Sequence, residues 1–188
     1  MKTWMIVLIV IAVIILIAGG WFINGLNTVV ALHENVSTLW AQVENQLQRR
    51  NDLVPNLVST VKGYAAHEQG LFTEVTRLRS QWSNAQTTQD KISAAEGLGS
   101  AISRLLLVVE NYPELKANQI FLSLQAQLEG TENRIVVERN RYNESVRQFN
   151  TYIRTVFGSF FASVRGLKEP AAYFQADAAA KAVPKVEF

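Results

Sequence analysis

The stretch TVVALHENVSTLWAQVENQLQRRNDLVPNLVSTVKGYAAH (Thr28–His67) decides the fold class. Its apolar residues fall at Leu32, Val36, Leu39, Val43, Leu47, Val54, Leu57, Val61 and Tyr64. Steps of three and four place them on one stripe of a long helix. Arg50 takes a stripe position, so a polar group interrupts the apolar face. Pro55 lies inside the pattern and predicts a kink near Asp52, because proline removes one helical hydrogen bond.

The same periodicity recurs downstream. Leu71, Phe72, Val75, Leu78 and Trp82 form the inward face of a short second helix, and the aperiodic SNAQTTQ (Ser83–Gln89) reads as a loop. Asp90 or Thr88 is expected to cap a third helix with Ile92, Leu98, Ile102, Leu105, Leu106 and Val109 inward. Gly97 and Gly99 inside it weaken the helix by about 1 kcal/mol each relative to Ala, and close helix approach is the reason expected. Asn111-Tyr112-Pro113 ends that helix, because the residue before proline disfavours the α region. A last helix is predicted from Glu114 to about Phe157, with Phe121, Leu124, Leu128, Ile135, Tyr142, Val146, Phe149 and Ile153 inward. No period-two pattern competes. The expectation is an all-α fold, a long antiparallel bundle of four helices, two of them long.

Upstream lies Trp4–Ile23, WMIVLIVIAVIILIAGGWFI, which carries no charge. Twenty residues at a 1.5 Å rise span about 30 Å, the hydrocarbon thickness of a bilayer. Trp4 and Trp21 sit near its ends, where aromatic belts lie. A cleavable signal peptide is the competing reading, with Ala18-Gly19-Gly20 as a small-residue site, but the apolar run continues past it to Ile23. Gly19 and Gly20 would allow close helix approach within the membrane. Lys2 precedes the span and no Lys or Arg follows it until Arg49, so the positive-inside rule predicts a cytoplasmic N-terminus and an extracytoplasmic domain. The chain thus divides into an anchor over 1–27, a helical domain over 28–157, and an interfacial segment with a flexible tail over 158–188.

Composition narrows the function. The chain has 188 residues, no cysteine, two histidines and a formal net charge of +2. That charge is too small and evenly spread for a nucleic-acid footprint. Without cysteine there are no disulfides, thiolate metal sites or cysteine nucleophiles. His33 and His67 stand about 51 Å apart on a straight helix and cannot share a metal within one chain. Glu110, Glu114, Glu129, Glu132 and Glu138 lack the Glu-x-x-His spacing of bundle metal sites. Gly97-Leu98-Gly99 lacks the strand and lysine of a phosphate loop. The expectation is no cofactor and no catalytic group.

Three sets of residues remain as candidates. The long helices outrun the short ones, so a two-helix stalk is predicted near the membrane. Such a stalk leaves Val29, Val36, Trp40, Val43, Tyr142, Phe149 and Tyr152 uncovered, which marks a partner interface and suggests a homo-oligomer. Two polar clusters, one with Arg50 and Asp52 and one with Glu132 and Arg134, lie on core-forming helices. They read either as a buried layer fixing helix register or as a polar ligand site. Finally, VFGSFFASVRGLK places Phe157, Phe160 and Phe161 beside Arg165 and Lys168. That mixture suits a membrane-surface segment, or rings docked back on the stalk.

These blocks carry a resemblance. The anchor, LWAQVENQLQRRNDLVPNLVSTVKGYAAHE (Leu39–Glu68), SRLLLVVENYPELKAN (Ser103–Asn118), FLSLQAQLEGTENRI (Phe121–Ile135) and RNRYNESVRQFN (Arg139–Asn150) together resemble the LemA family of bacterial single-span membrane proteins. The likeness covers nearly everything from Met1 to about Phe157. Where family members tend to carry a proline soon after the last helix, this chain reads Val156-Phe157-Gly158. The resemblance implies an anchored antiparallel helical domain in the inner membrane, with no established enzymatic activity or cofactor. Family members are often encoded beside membrane proteases or related envelope proteins, which implies an adaptor role. Two functions follow: a membrane-anchored scaffold that self-associates, or a tethered module that binds a peptide or another envelope protein.

Overall fold

The computed structural model describes residues 3–65 and 67–174. Among them there are helices and connecting turns but no strand. The helices are α1 (Thr3–Lys62), α2 (Gln69–Asn84), α3 (Thr88–Val109), α4 (Pro113–Lys116), α5 (Gln119–Ile153) and α6 (Val156–Arg165). The all-α expectation holds, with two differences in how the long helices are divided.

The anchor and the first domain helix are one element. α1 runs for 60 residues without a break, through Gly19, Gly20, Gly25 and Pro55. Its first part is apolar enough to cross a membrane, and every residue from Met5 to Ile23 is exposed to the surroundings. α3 also passes that test by length and composition, but Leu98, Ala101, Ile102 and Leu105 are buried in the helical core.

The predicted last helix is three. Pro113 opens α4, whose Leu115 is buried. Asn118 then interrupts the path: its Oδ1 accepts from the backbone N–H of Ile120 (2.9 Å) and Phe121 (3.1 Å), which caps α5. Thr155 does the same for α6, its Oγ1 accepting from Gly158 N–H at 3.1 Å. Gly158 is required there, since a Cβ would stand 1.9 Å from the Tyr152 carbonyl oxygen. Thr87, rather than Thr88 or Asp90, caps α3, accepting from Asp90 N–H at 3.1 Å.

The chain divides into two compact units, each drawing on α1 and α5. The first is the described part of Met1–Trp40 together with Arg141–Ala171. Here α1 and α5 run antiparallel: the Trp40 ring meets Tyr142 at 5.4 Å between centroids, His33 meets Phe149 at 5.6 Å, and Tyr152 Oη donates to the Gly25 carbonyl at 3.2 Å. The second is Ala41–Asn140 with the described part of Ala172–Phe188. Its core joins α1 (Val54, Leu57, Val61) to α2 (Val75), α3 (Leu98, Leu105) and α5 (Phe121, Leu128).

The expectation of an uncovered stalk is overturned. Val29, Val36, Val43, Tyr142 and Phe149 are buried, and Trp40 and Tyr152 are half-buried. Trp40 and His33 of α1 stand against Tyr142 and Phe149, and the chain beyond α6 also returns to α5. After α6, Gly166 turns the chain in the left-handed region (φ +71°), and Leu167 N–H closes the helix end on Ala162 O at 2.8 Å. Ala171 then pairs with Asn150 in both directions: its N–H donates to Asn150 Oδ1 (2.8 Å), and Asn150 Nδ2 donates to its carbonyl (2.9 Å). Phe174 is buried too. The remainder of the predicted tail, 175–188, lies outside the described residues.

Candidate functional site

The second unit contains a cavity of about 390 Å³. Leu47 and Arg50 reach it from α1, Gly99 and Ser103 from α3, Glu132 from α5, and Phe174 closes one wall. Its polar floor is Arg50, which is only 5% exposed. Its Nη2 donates to the Ala95 carbonyl at 2.6 Å and its Nη1 to Glu132 Oε2 at 3.1 Å. Nε is buried without a hydrogen-bond partner. Burial pulls the Arg50 pKa down from its ordinary value, the Glu132 carboxylate opposes that shift, and the positive charge of Arg139 adds to it.

Gly99 explains how a guanidinium fits between helices. A Cβ at that position would lie 3.2 Å from Arg50 Nη1. Gly97, two residues earlier and on another face of α3, accommodates Leu78 Cδ2 in the same manner at 3.1 Å. The glycines therefore admit side chains from neighbouring helices, as the close-approach expectation required.

The predicted polar cluster is only half assembled. Arg50 and Glu132 meet across α1 and α5, while Asp52 and Arg134 are exposed. Asp52 Oδ1 accepts from Gln48 Nε2 at 2.7 Å, a local bond one helical turn back. The physical reason is helical phase: two residues beyond a stripe position is a rotation of about 200°, onto the opposite face.

Other groups complete the site. Arg139 Cζ lies 4.6 Å from the Phe174 ring centroid, and its Nη2 stands 4.0 Å from Glu96 Oε1. Arg139 follows Glu132 by seven residues, two helical turns along one face, so its spacing was legible. Glu96, Gly99 and Ser103 share a face of α3 at steps of three and four, which was also readable. Phe174 had no sequence signal, since its place depends on the chain turning back at Gly166. Among the described residues, no three His, Asp or Glu side chains gather where they could hold a metal ion.

The anchor residues Trp4, Trp21 and Ile23 are exposed, and nothing lies within 4 Å of a Cβ built at Gly19 or Gly20. Phe161 is buried, whereas Phe157, Phe160, Arg165 and Lys168 are exposed.

An apolar helix long enough to span a bilayer, continuous with an antiparallel helical bundle, defines a membrane-associated helical protein. The LemA family model matches residues 39–188. The chain belongs to the LemA family. It is 27% identical over 175 residues to magnetosome protein MamQ 2 of Paramagnetospirillum magneticum, covering 79% of this chain and 64% of that protein. It is 25% identical over 168 residues to MamQ of Magnetospirillum gryphiswaldense, covering 76% and 62%. Protein LemA of Metamycoplasma hominis is 28% identical over 125 residues, covering 65% of this chain and 55% of that protein. The chain thus spans less than two thirds of the length of these relatives.

Proposed function

We propose that the protein is a non-enzymatic, membrane-tethered binding module that holds a peptide segment of another envelope protein in the cavity beside Arg50. The observation that carries this reading is the cavity itself, about 390 Å³ with a buried guanidinium at its floor. That volume is within the usual range of ligand pockets, roughly 300–1,000 Å³, and its lining combines apolar walls with charged side chains. Leu47, Ile102, Leu128 and Ile135 supply the apolar part. Glu96, Glu129 and Glu132 outnumber Arg50 and Arg139 among its charged lining residues. The matching segment is therefore aliphatic with a basic neighbour. On the weight of Lys2 and the absence of Lys or Arg between Ile23 and Arg49, the module stands on the extracytoplasmic side of a bacterial inner membrane.

The test is selection from a random peptide library by the full chain in detergent micelles. Aliphatic peptides carrying Lys or Arg are expected to be enriched. A Ser103→Trp variant, which fills the cavity from an exposed helical position, is expected to lose them while melting within a few degrees of the wild type. Equal enrichment on both proteins refutes the reading.

Self-association into a homo-oligomeric scaffold is the second reading, and its support has moved. The stalk residues are buried within the chain, so the apolar face of 4–23 with its open Gly19 and Gly20 is what another copy would cover. Light scattering in detergent distinguishes an oligomer from a monomer.

A further inference from the structure

In the first unit, α6 is packed against α1 at the end of the apolar span. Phe161 lies over Gly25, where a Cβ would come within 2.2 Å of its ring. Trp21 stacks edge-on against Phe157 (5.1 Å between centroids) and Phe161 (5.2 Å), and Phe22 meets Phe161 at 5.7 Å. Gly158, Phe161 and Ala162 thus form the buried face of α6. Its other apolar face is largely open: Val156, Phe157, Phe160 and Val164 are all more than half exposed, with Trp21 and Phe22 meeting only the edge of that face. Phe157, Phe160 and Val164 recur at steps of three and four, and Val156 lies four residues before Phe160, so the four share one stripe along the helix.

Water is a poor surrounding for two phenylalanines and two valines in so short a helix, and the contacts with Trp21 and Phe22 say what lies beside them. Those two residues lie near the end of the exposed apolar run from Trp4 to Ile23. The stripe on α6 is therefore continuous with the lipid-facing surface of the span. The flanking charge agrees: Arg154, Arg165 and Lys168 are exposed against Glu169 alone. Aromatic and aliphatic residues facing one way with cations beside them suit the boundary between acyl chains and anionic headgroups.

We propose that α6 lies in the bilayer–water interface as a second membrane contact, with Phe157, Phe160 and Val164 in the headgroup–acyl boundary and Arg154, Arg165 and Lys168 against lipid phosphates. This rests on the reading of 4–23 as a membrane anchor and adds an orienting role. A single span leaves the helical domain free to turn about the anchor, whereas a second contact at Trp21–Gly25 fixes which face meets the membrane.

The cysteine-free sequence makes the test clean. Single variants Ile14→Cys, Gln148→Cys, Phe160→Cys and Val164→Cys in the full chain are spin-labelled and reconstituted into phosphatidylcholine vesicles with or without phosphatidylglycerol. Collision with oxygen, which favours lipid, is compared with collision with a water-soluble nickel chelate. Labels at 160 and 164 are expected to read depths between those at 14 and 148, and to sit deeper with phosphatidylglycerol present. A label at 160 as accessible to nickel as that at 148, with 14 still in lipid, overturns the proposal alone. Protection from both reagents means that protein covers the stripe, and also overturns it. A water-exposed label at 14 overturns the anchor reading, and the proposal with it.

Discussion

Substitutions at the Arg50–Glu132 pair are expected to be asymmetric, because the two partners differ in burial. The Arg50 side chain is 6% exposed and that of Glu132 49%. Arg50→Met removes two hydrogen bonds from a charged donor, about 1.5–3 kcal/mol each, or roughly 3–6 kcal/mol gross. It also removes the desolvation penalty of a buried guanidinium whose Nε has no partner, a term of several kcal/mol with the opposite sign. Methionine fills the vacated space with apolar contact, so the net change is expected within about 1.5 kcal/mol of zero.

Glu132→Ala does the reverse. It leaves the guanidinium buried with the Ala95 carbonyl alone. Breaking a buried pair this way costs about 3–5 kcal/mol, which we reduce to about 1.5–3 kcal/mol because water reaches Glu132. For a chain of this size, that lowers Tm by roughly 3–12 °C. The assay is thermal unfolding by far-UV circular dichroism in detergent, run on both single variants and the double variant. The double is expected to be no less stable than Glu132→Ala, because the orphaned charge is gone. If Arg50→Met proves less stable than Glu132→Ala, or if the two losses simply add, the pair does not act as described.

Three further outcomes follow from the packing. Gly25→Ala forces a methyl into the Phe161 ring and is expected to cost about 1–3 kcal/mol, with Phe161→Ala in the same background recovering part of the loss; equal melting of Gly25→Ala and wild type refutes the contact. Asn150→Ala removes both bonds to Ala171 and is expected to cost about 1–3 kcal/mol and to speed tryptic cleavage at Arg165 and Lys168, as read by mass spectrometry against time. Burial pushes the Tyr142 phenol up to about 12 from 10.0. The folded pKa is raised, so the stability it contributes is complete below pH 10 and lost as pH rises through about 12. Melts across that window are expected to fall for the wild type and to fall less for Tyr142→Phe.

By itself, the sequence determined the elements and the membrane segment. Both are local: a 3.6-residue period and an uncharged run of twenty residues need no partner to be read. Arg50 was visible for the same reason, as a charge on an apolar stripe. Tertiary structure decided which groups meet it. Helical phase carries Asp52 away from the stripe, while Glu132, Glu96 and Arg139 arrive from other helices. It also decided the fate of the stalk. Counting helices left Tyr142 and Phe149 uncovered, but Trp40 and His33 of α1 stand against them, and residues after Gly166 come back so that Ala171 docks on Asn150. That return rests on one left-handed glycine and two hydrogen bonds across 21 residues, which no period in the sequence announces.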